Sequence, residues 1–423
     1  MMRPGCPHQA VLVFMLLAGA ASPALAQEDA ANLGAKLMAD ATVKAALDAI
    51  RSAEPQTIDD QVRLCEVEAP PFKEQKRADL YARMFREAGL QNVRIDKEGN
   101  VLGDRPGTQP RPRLVFSAHL DTVFPEGTDV TVKRDGSILR GPGIGDDCRG
   151  LAVVLAVIRA MNQAKVQTTG PITFAGTVGE EGLGDLRGVK YLFNEGMKGQ
   201  IDRFVSIDGT GLGITSTAVG SLRYRVTFKG PGGHSYGAFG LSNPLHALGR
   251  AVETISQFEV PSDPKTTFNV GRIGGGTSVN SIPFEAWFEM DMRSVSPSAL
   301  QALDARFHRA VDEAVKAEDA RWKKNVLSVD KTLVGNRPAG GTPATSPIVQ
   351  AAISVTRALG TAVTLDEGST DSNIPMSLGI PAITIDGGGQ GTRAHALDEA
   401  FDPANSHLGS QRALLVAIAL TQM

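Results

Sequence analysis

The chain has 423 residues, of which 42% are hydrophobic and 21% are charged, and its formal net charge at pH 7 is −3. This length and composition are typical of a globular protein with two or three domains and a large buried core. The nearly balanced charge, without a cluster of Lys and Arg, gives no electrostatic basis for binding nucleic acid or an anionic membrane. Small molecules or peptides are therefore the expected partners.

The N-terminus predicts export from the cytoplasm. Arg3 precedes an apolar run, and the segment SPALAQ then places Ala24 and Ala26 at the small-residue positions of a signal-peptidase site. We expect cleavage after Ala26, so that residues 1–26 are a signal peptide and the protein is secreted, in a bacterium to the periplasm. A membrane anchor is the alternative, but the run is shorter than the roughly 20 apolar residues that span a bilayer.

Two cysteines remain after this cleavage, Cys65 and Cys148. In an oxidising compartment they could pair, whereas two unpaired and partly buried thiols are the simpler interpretation. The sequence does not decide between these alternatives, because it does not show whether the two residues are close in space.

Residues 27–218 alternate between helices and strands. Helical material runs to about Glu68, and the segment PPFKEQKRADLYARMFREAGL has the spacing of an amphipathic helix. The strands RLVFSA, PITFAGTV and RFVSID then alternate with the helices CRGLAVVLAVIRAMNQA and LRGVKYLFNEG. Apolar strands separated by helices predict an α/β fold, with a mostly parallel sheet covered by helices on both faces.

The pattern changes between residues 219 and 335. The strands LRYRVTFKG, TTFNVGRIGG, EAWFEMDMRS and VLSVDKTLV combine with two helices in the order βαββαβ, which is typical of a compact α+β unit. Ser296 can cap the second helix, and Pro297 stands in its first turn. The α/β alternation returns over residues 336–423, so the second domain is predicted to be inserted into the first.

Histidines and acidic residues cluster just beyond the predicted strands. They are His119 and Asp121 in SAHLDTVFP, Asp146 and Asp147 in GPGIGDDCRG, Glu180 and Glu181 in TVGEEG, Asp208 in SIDGTG, and His395 in GTRAHALDE. Each alone could be an ordinary turn residue, but ligands of open α/β sheets gather at the carboxyl ends of strands. Two imidazoles with several carboxylates suit zinc or another divalent first-row ion, and the number of ligands suggests two ions.

These motifs, in this order, resemble those of the co-catalytic zinc exopeptidases and deacylases. That family includes bacterial glutamate carboxypeptidase, tripeptide aminopeptidase, acetylornithine deacetylase and succinyl-diaminopimelate desuccinylase. The resemblance implies two zinc ions per chain, or Co or Mn in their place. One ion would be bound by His119, Asp146 and Asp208, and the other by Asp146, Glu181 and His395, with Asp146 shared. It also implies a cis peptide between Asp146 and Asp147, and a role for Asp121 in orienting His119.

The same resemblance assigns different roles to the two adjacent glutamates. Glu181 would bind metal, whereas Glu180 would be the general base that takes a proton from the water between the metals and passes it to the leaving amine. In the inserted domain, His234 resembles a lid histidine that reaches the active site of the partner chain in dimeric members. Asn280 and Arg293 match positions that hold the substrate backbone or carboxylate. We therefore expect a homodimer formed through the inserted domain.

The sequence thus predicts a secreted two-zinc metallopeptidase or amidohydrolase that cleaves amide bonds of small peptides or N-acyl amino acids. One alternative is a deacylase of N-acyl amino acids rather than a peptidase. Another is a non-catalytic metal- or peptide-binding protein, which would have no use for Glu180. A third is a serine hydrolase, because residues 233–237 fit G-x-S-x-G with Ser235 as the nucleophile, although the predicted helix begins only near Asn243.

Overall fold

The computed structural model of the protein describes residues 32–422. The predicted signal peptide and its cleavage site lie outside this range. Among the helices of residues 32–422, none is both long enough and apolar enough to cross a membrane.

The first stretch of the chain alternates helices and strands, as its sequence predicts. Its helices are α1 (32–39), α2 (Ala41–Ser52), α3 (Glu54–Cys65), α4 (Gln75–Glu87), α5 (Cys148–Gln163) and α6 (Arg187–Tyr191), which a π-helical turn extends over Leu192–Gly196. Its strands are β1 (Gln91–Ile95), β2 (Val101–Arg105), β3 (Leu114–His119), β4 (Lys133–Asp135), β5 (Ile138–Arg140), β6 (Ile172–Thr177), β7 (Arg203–Ile207) and β8 (Ile214–Ala218). A 3-10 turn, Gly182–Gly184, follows β6.

The second stretch forms the predicted βαββαβ unit. It consists of β9 (Gly220–Lys229), the short β10 (Gly233–His234), α7 (Pro244–Ser256), β11 (Thr266–Gly275), the short β12 (Ser281–Ile282), β13 (Glu285–Ser294), α8 (Pro297–Trp322) and β14 (Ser328–Arg337). The Ser296 hydroxyl accepts a hydrogen bond from the Ala299 amide and caps α8, as expected. We call this unit, residues 220–337, the lid.

The third stretch returns to the α/β pattern. It contains β15 (Gly340–Gly341), α9 (Pro347–Ala358), β16 (Leu365–Gly368), α10 (Asn373–Ser377), β17 (Ala382–Ile385), β18 (Gln390–Thr392), β19 (Ala400–Asp402) and α11 (His407–Gln422). β15 pairs with β8, so that Gly340 lies opposite Ala218. The chain therefore enters the lid just after Ala218 and leaves it just before Gly340, at neighbouring positions of the central sheet.

The central sheet has the strand order β1-β2-β6-β3-β7-β17-β8-β15, with β16 also beside β8. Its middle strands, β6, β3, β7 and β17, are parallel. Every residue of β3 and β6 is buried, because helices cover both faces. Phe116 packs into the hydrophobic cluster that contains α5 and α11, whereas its neighbour Val115 packs into the cluster that contains α6 and α10. The predicted α/β class is confirmed, with antiparallel strands added at the two edges.

The lid has its own sheet and its own core. Its strands are antiparallel in the order β11-β13-β9-β14, and α7 and α8 pack against one face. Phe228, Phe288 and Phe307 are fully buried in that core. The alternating burial of β9 and β13 leaves polar side chains on the other face of the sheet.

Candidate metal centre

The predicted ligands converge where the parallel strands end. His119 is the last residue of β3, Glu181 follows β6, and Asp208 follows β7. Asp146 immediately precedes the first turn of α5, and His395 lies in the segment between β18 and β19. Because parallel strands present their carboxyl ends at one edge, side chains from distant parts of the chain meet there.

Asp146 stands between two groups of ligand atoms. Its Oδ1 lies 2.9 Å from His119 Nε2, and its Oδ2 lies 3.1 Å from His395 Nε2. On the first side, Asp208 Oδ1 is 3.9 Å from His119 Nε2. On the second side, Glu181 Oε1 is 3.0 Å from His395 Nε2. The two groups therefore share one carboxylate.

The chemistry of this cluster fits divalent cations. Burial raises the pKa of Asp208 to about 7, and the charge of Asp146 adds to that effect. Hydrogen bonds to Asp146 and Glu181 raise the pKa of His395 to about 10. Without cations, the buried carboxylates are thus accommodated only by binding protons or protonated imidazoles. Imidazole nitrogens and carboxylate oxygens are ligands that zinc and other first-row ions accept.

Asp121 lies beside His119, where its predicted role of orienting that ligand requires it, and also contacts the two glutamates. The ring atom Nδ1 of His119 lies 3.0 Å from the backbone carbonyl oxygen of Asp121 and 3.6 Å from its carboxylate. The two carboxylate oxygens of Asp121 accept hydrogen bonds from the amides of Glu180 and Glu181, at 3.0 and 2.8 Å. Asp121 therefore contacts the histidine through its carbonyl and its carboxylate, and the two glutamates through its carboxylate.

Asp147 also holds backbone rather than metal ligands. Its carboxylate accepts hydrogen bonds from the amides of His119 and Gly150, both at 3.0 Å, and so caps α5. The peptide bond between Asp146 and Asp147 is cis, as the family resemblance implies. The Asp147 side chain thus connects the end of β3 to the start of α5.

Glu180 lies beside the ligands and is almost completely buried, with 4% of its surface exposed. Its Oε1 is 3.1 Å from Nη1 of Arg337, and the other terminal nitrogen of Arg337 donates to the Glu180 carbonyl. Burial raises the pKa of Glu180 well above its usual value, and the positive charge of Arg337 opposes that effect. Among residues 32–422, Glu180 thus has an arginine ion-pair partner, which Asp146, Glu181 and Asp208 lack.

A cavity of about 450 Å³ opens onto the cluster. One side is formed by Asp146, Glu181, Asp208 and His395, together with Glu180. Three arginines of the lid, Arg223, Arg293 and Arg337, line the same cavity. The carboxylate of Asp291 accepts from Nε of Arg223 at 3.0 Å and from Nε of Arg293 at 2.7 Å. Arg223 also donates to the carbonyl of Gly182, at 2.7 Å, and so connects the lid to the loop after Glu181.

The other two lid residues predicted from the sequence, His234 and Asn280, do not line this cavity. Both are exposed, and they adjoin each other because β10 pairs with β12. Nδ1 of His234 accepts from the amides of Tyr236 and Gly237. Ser235 lies just after β10, and the next helix begins only at Pro244, so the strand-to-helix turn of a serine-hydrolase elbow is absent at this described position.

Sequence reasoning missed Arg223, Arg337 and Asp371. The two arginines lie on lid strands, where a charged residue is unremarkable in a single sequence. Asp371 is fully buried, accepts a hydrogen bond from the Thr177 hydroxyl at 2.6 Å, and has its pKa raised to about 6 by burial. It follows strand β16 closely, which is the same signal that identified the other acidic residues.

Cys65 and Cys148 are free thiols and are fully buried. They lie in one small hydrophobic cluster with Leu139, Ile144 and Phe401. The expectation of partly buried thiols therefore underestimated their burial.

Comparison with known proteins identifies the family. The model of peptidase family M20/M25/M40 matches residues 115–419, which include all five ligand candidates and Glu180. The chain belongs to this family. The resemblance drawn from the motifs is thereby confirmed, and this M20 family protein is a hydrolytic enzyme of a metal-dependent family.

The relatives of this M20 family protein differ in their named activities. It is 26% identical over 353 residues to a succinyl-diaminopimelate desuccinylase from Delftia acidovorans, covering 76% of this chain and 86% of that one. A tripeptidase from Staphylococcus aureus has a similar structure, with a TM-score of 0.70, 21% identity, and coverage of 87% and 99%. A dinuclear metal-binding M20 peptidase from Bacillus subtilis gives a TM-score of 0.64, 17% identity, and coverage of 88% and 100%. At these identities the two structures show a common fold.

We expect removal of divalent cations to lower the unfolding temperature, because the carboxylates of the cluster then lose the ions that would offset their repulsion. A ligand present at 1,000 times its Kd stabilises the folded state by about 4 kcal/mol. Calorimetry of chelator-treated protein, with and without added zinc, measures the effect. In Asp146→Asn, which removes the shared carboxylate, added zinc should raise the unfolding temperature much less than in wild type. An equal rise of the unfolding temperature in that variant would contradict the assignment.

Proposed function

We propose that the protein is an exported two-zinc exopeptidase or amidohydrolase that cleaves an amide bond in a small peptide or an N-acyl amino acid. The observation that carries this proposal is the position of Asp146, whose two oxygens face His119 and His395 at 2.9 and 3.1 Å. A shared carboxylate of this kind suits two cations about 3.5–4 Å apart. The related fold of a dinuclear metal-binding peptidase supports the same count.

His119, Asp146 and Asp208 would hold one cation, and Asp146, Glu181 and His395 would hold the other. Zinc fits these donors best, and Co or Mn would fit as well. When bound, such ions would polarise an amide carbonyl and lower the pKa of water, so that the water loses a proton more readily and attacks the carbonyl carbon.

Glu180 is the general base of the proposed reaction. It is buried beside the ligands and lines the cavity, yet it belongs to neither group of ligand atoms. Glu180 takes a proton from the attacking water as the new C–O bond forms, and returns it to the leaving nitrogen as the C–N bond breaks. Arg337 holds the carboxylate by a hydrogen bond of 3.1 Å and favours its charged, basic form.

The lid arginines indicate that the substrate carries a carboxylate. Arg223 and Arg293 share the single carboxylate of Asp291, and Arg337 pairs with Glu180. Among described residues, the terminal nitrogens of Arg293 have no hydrogen-bond partner, and 40% of that side chain is exposed. A guanidinium with free terminal nitrogens binds carboxylates in a bidentate manner. This favours substrates whose leaving amine bears a carboxylate, as in both peptides and N-acyl amino acids.

The reaction class can be tested with a panel of dipeptides, tripeptides and N-acyl amino acids, each assayed with and without a chelator. Hydrolysis that the chelator abolishes is expected. Two zinc ions bound without any turnover would instead identify a non-catalytic binding protein. Chelator-resistant hydrolysis together with labelling of Ser235 by a fluorophosphonate would identify a serine hydrolase.

The two adjacent glutamates should respond differently to the same substitution. Glu180→Gln keeps the size of the side chain but removes its basicity, so turnover should fall by about 10²-fold or more while both metals stay bound. Glu181→Gln replaces a carboxylate ligand by a weaker amide, so one metal should be lost and excess zinc should restore part of the activity. Metal analysis and single-turnover kinetics distinguish the two. The reverse pattern would exchange the roles of Glu180 and Glu181.

His234 is proposed to act in the active site of a partner chain. It is exposed and lies outside the cavity of its own chain, and Tyr236 and Phe239 beside it are 90% and 79% exposed. Exposed apolar residues of this kind are typical of protein interfaces. A homodimer formed through the lid would cover them.

Mixing two inactive variants tests the dimer. In a mixed dimer of His234→Ala and Glu180→Gln chains, one of the two sites has both an intact Glu180 and an intact His234. Equal amounts should therefore recover roughly a quarter of wild-type activity at full subunit exchange. Mixtures that exchange subunits, as verified by native mass spectrometry, but stay inactive would show that His234 does not act across the interface.

Export can be tested by sequencing the N-terminus of the protein recovered from the periplasm. The segment SPALAQ supports cleavage after Ala26, so the first residue should be Gln27. An exported protein that still begins at Met1 would contradict the proposed signal peptide.

A further inference from the structure

A buried carboxylate outside the two ligand groups joins the loops that carry Asp146 and His395. Glu399 is 2% exposed and immediately precedes β19. Its Oε1 accepts hydrogen bonds from the amides of Gly145 at 2.7 Å and Asp146 at 3.0 Å. Its Oε2 accepts from the amide of Gly143 at 3.2 Å. The Glu399 side chain thus fixes the main chain at Gly143, at Gly145 and at the shared ligand Asp146.

These three amides take the place of a positively charged partner. Among residues 32–422, no Lys, Arg or His forms an ion pair with Glu399. Burying an isolated carboxylate costs several kcal/mol, and hydrogen bonds from backbone amides offset that cost. Successive amides that surround an anion in this way form a nest, which requires an unusual local backbone conformation.

The glycines of the segment GPGIGDD allow this arrangement. Gly143 has φ +77°, which is unfavourable for residues with a side chain. A Cβ atom at Gly145 would lie only 3.0 Å from Oε1 of Glu399. Glycine is therefore favoured at position 143 by its backbone conformation and at position 145 by the close approach of Glu399.

The segment that carries His395 is exposed, and its strand β18 is held by pairing with β19, the strand that Glu399 immediately precedes. Residues 390–395 are exposed, and 54% of the His395 side chain is accessible to solvent. Four residues later, the carbonyl of Glu399 accepts from the Gly141 amide at 2.9 Å, and its amide donates to the Ala396 carbonyl at 3.0 Å. Glu399 is thus connected to the Asp146 loop by main chain and side chain together.

We propose that Glu399 is a positioning residue that fixes Asp146 relative to His395 and thereby sets the affinity of the cation site that these two residues form with Glu181. This inference rests on the proposed two-metal function. The other site shares Asp146 but should depend on Glu399 less, because its other two ligands, His119 and Asp208, lie at the ends of buried strands. Removing the carboxylate should therefore weaken one cation more than the other.

The test compares stepwise zinc affinities of wild type, Glu399→Gln, Glu399→Asp and the control Asp398→Asn. Glu399→Gln keeps the size of the side chain, but the NH₂ group of glutamine is a donor and would face a backbone amide that is also a donor. Aspartate keeps the charge, but its shorter side chain reaches fewer of the three amides. Asp398 is adjacent in sequence, exposed, and paired only with exposed Arg393 among described residues. Competition with a chromophoric chelator gives both zinc constants, and calorimetry gives the stability of the metal-free proteins.

We expect Glu399→Gln to weaken the binding of one zinc ion by about 10–100-fold, the usual effect of losing a partner that orients a ligand, and to weaken the other, which shares Asp146, much less. The zinc affinities of Glu399→Asp should be intermediate, and those of Asp398→Asn should match wild type. Excess zinc should restore turnover in Glu399→Gln. Unchanged zinc constants in both Glu399 variants would overturn the proposal. Equal weakening of both ions, or lower stability with wild-type constants, would assign Glu399 a general structural role and would also overturn it. A wild-type protein that binds no zinc would refute the two-metal function itself, whatever the variants do.

Discussion

The site depends on one electrostatic constraint, the confinement of several carboxylates at the buried edge of a parallel sheet. Burial and the charge of Asp146 raise the pKa of Asp208 to about 7 there, and cations bound between the ligands would offset that cost. The carboxylates that support the ligands, those of Asp121 and Asp147, are bound by backbone amides rather than by Lys or Arg. These supporting carboxylates thus fix the ligands without adding positive charge to a site where His119, His395 and Arg337 lie and where metal ions would supply more.

The parts of the fold that follow a regular pattern were predictable from the sequence. Apolar strands separated by helices predicted the parallel core, and the βαββαβ order predicted the lid. The hairpin of β1 and β2 and the short strands β18 and β19 were not predicted. These strands have only three to five residues each, which is too short for alternation to stand out from the surrounding turn residues. Their pairing depends on contacts distant in sequence.

The candidate site was predictable to the same extent and for a similar reason. His119, Glu181 and Asp208 all follow apolar strands, and such positions meet in space in any parallel sheet. Arg337 and Glu399 could not be found in this way. Arg337 ends an antiparallel lid strand whose distance from Glu180 depends on how the lid is placed. Glu399 binds backbone amide groups. Such contacts do not depend on the side chains of the residues that donate them, so only the glycines of that loop reflect them in the sequence.

The way in which the lid joins the central sheet has an evolutionary consequence. Ala218 and Gly340 are partners in the pairing of β8 with β15, so the two chain crossings lie next to each other, about 5 Å apart between Cα atoms. A tight turn could connect the same two residues without altering any strand register of the sheet. The segment between them can therefore lengthen, shorten or be exchanged for another, and substrate preference can diverge while the metal-binding scaffold stays as it is.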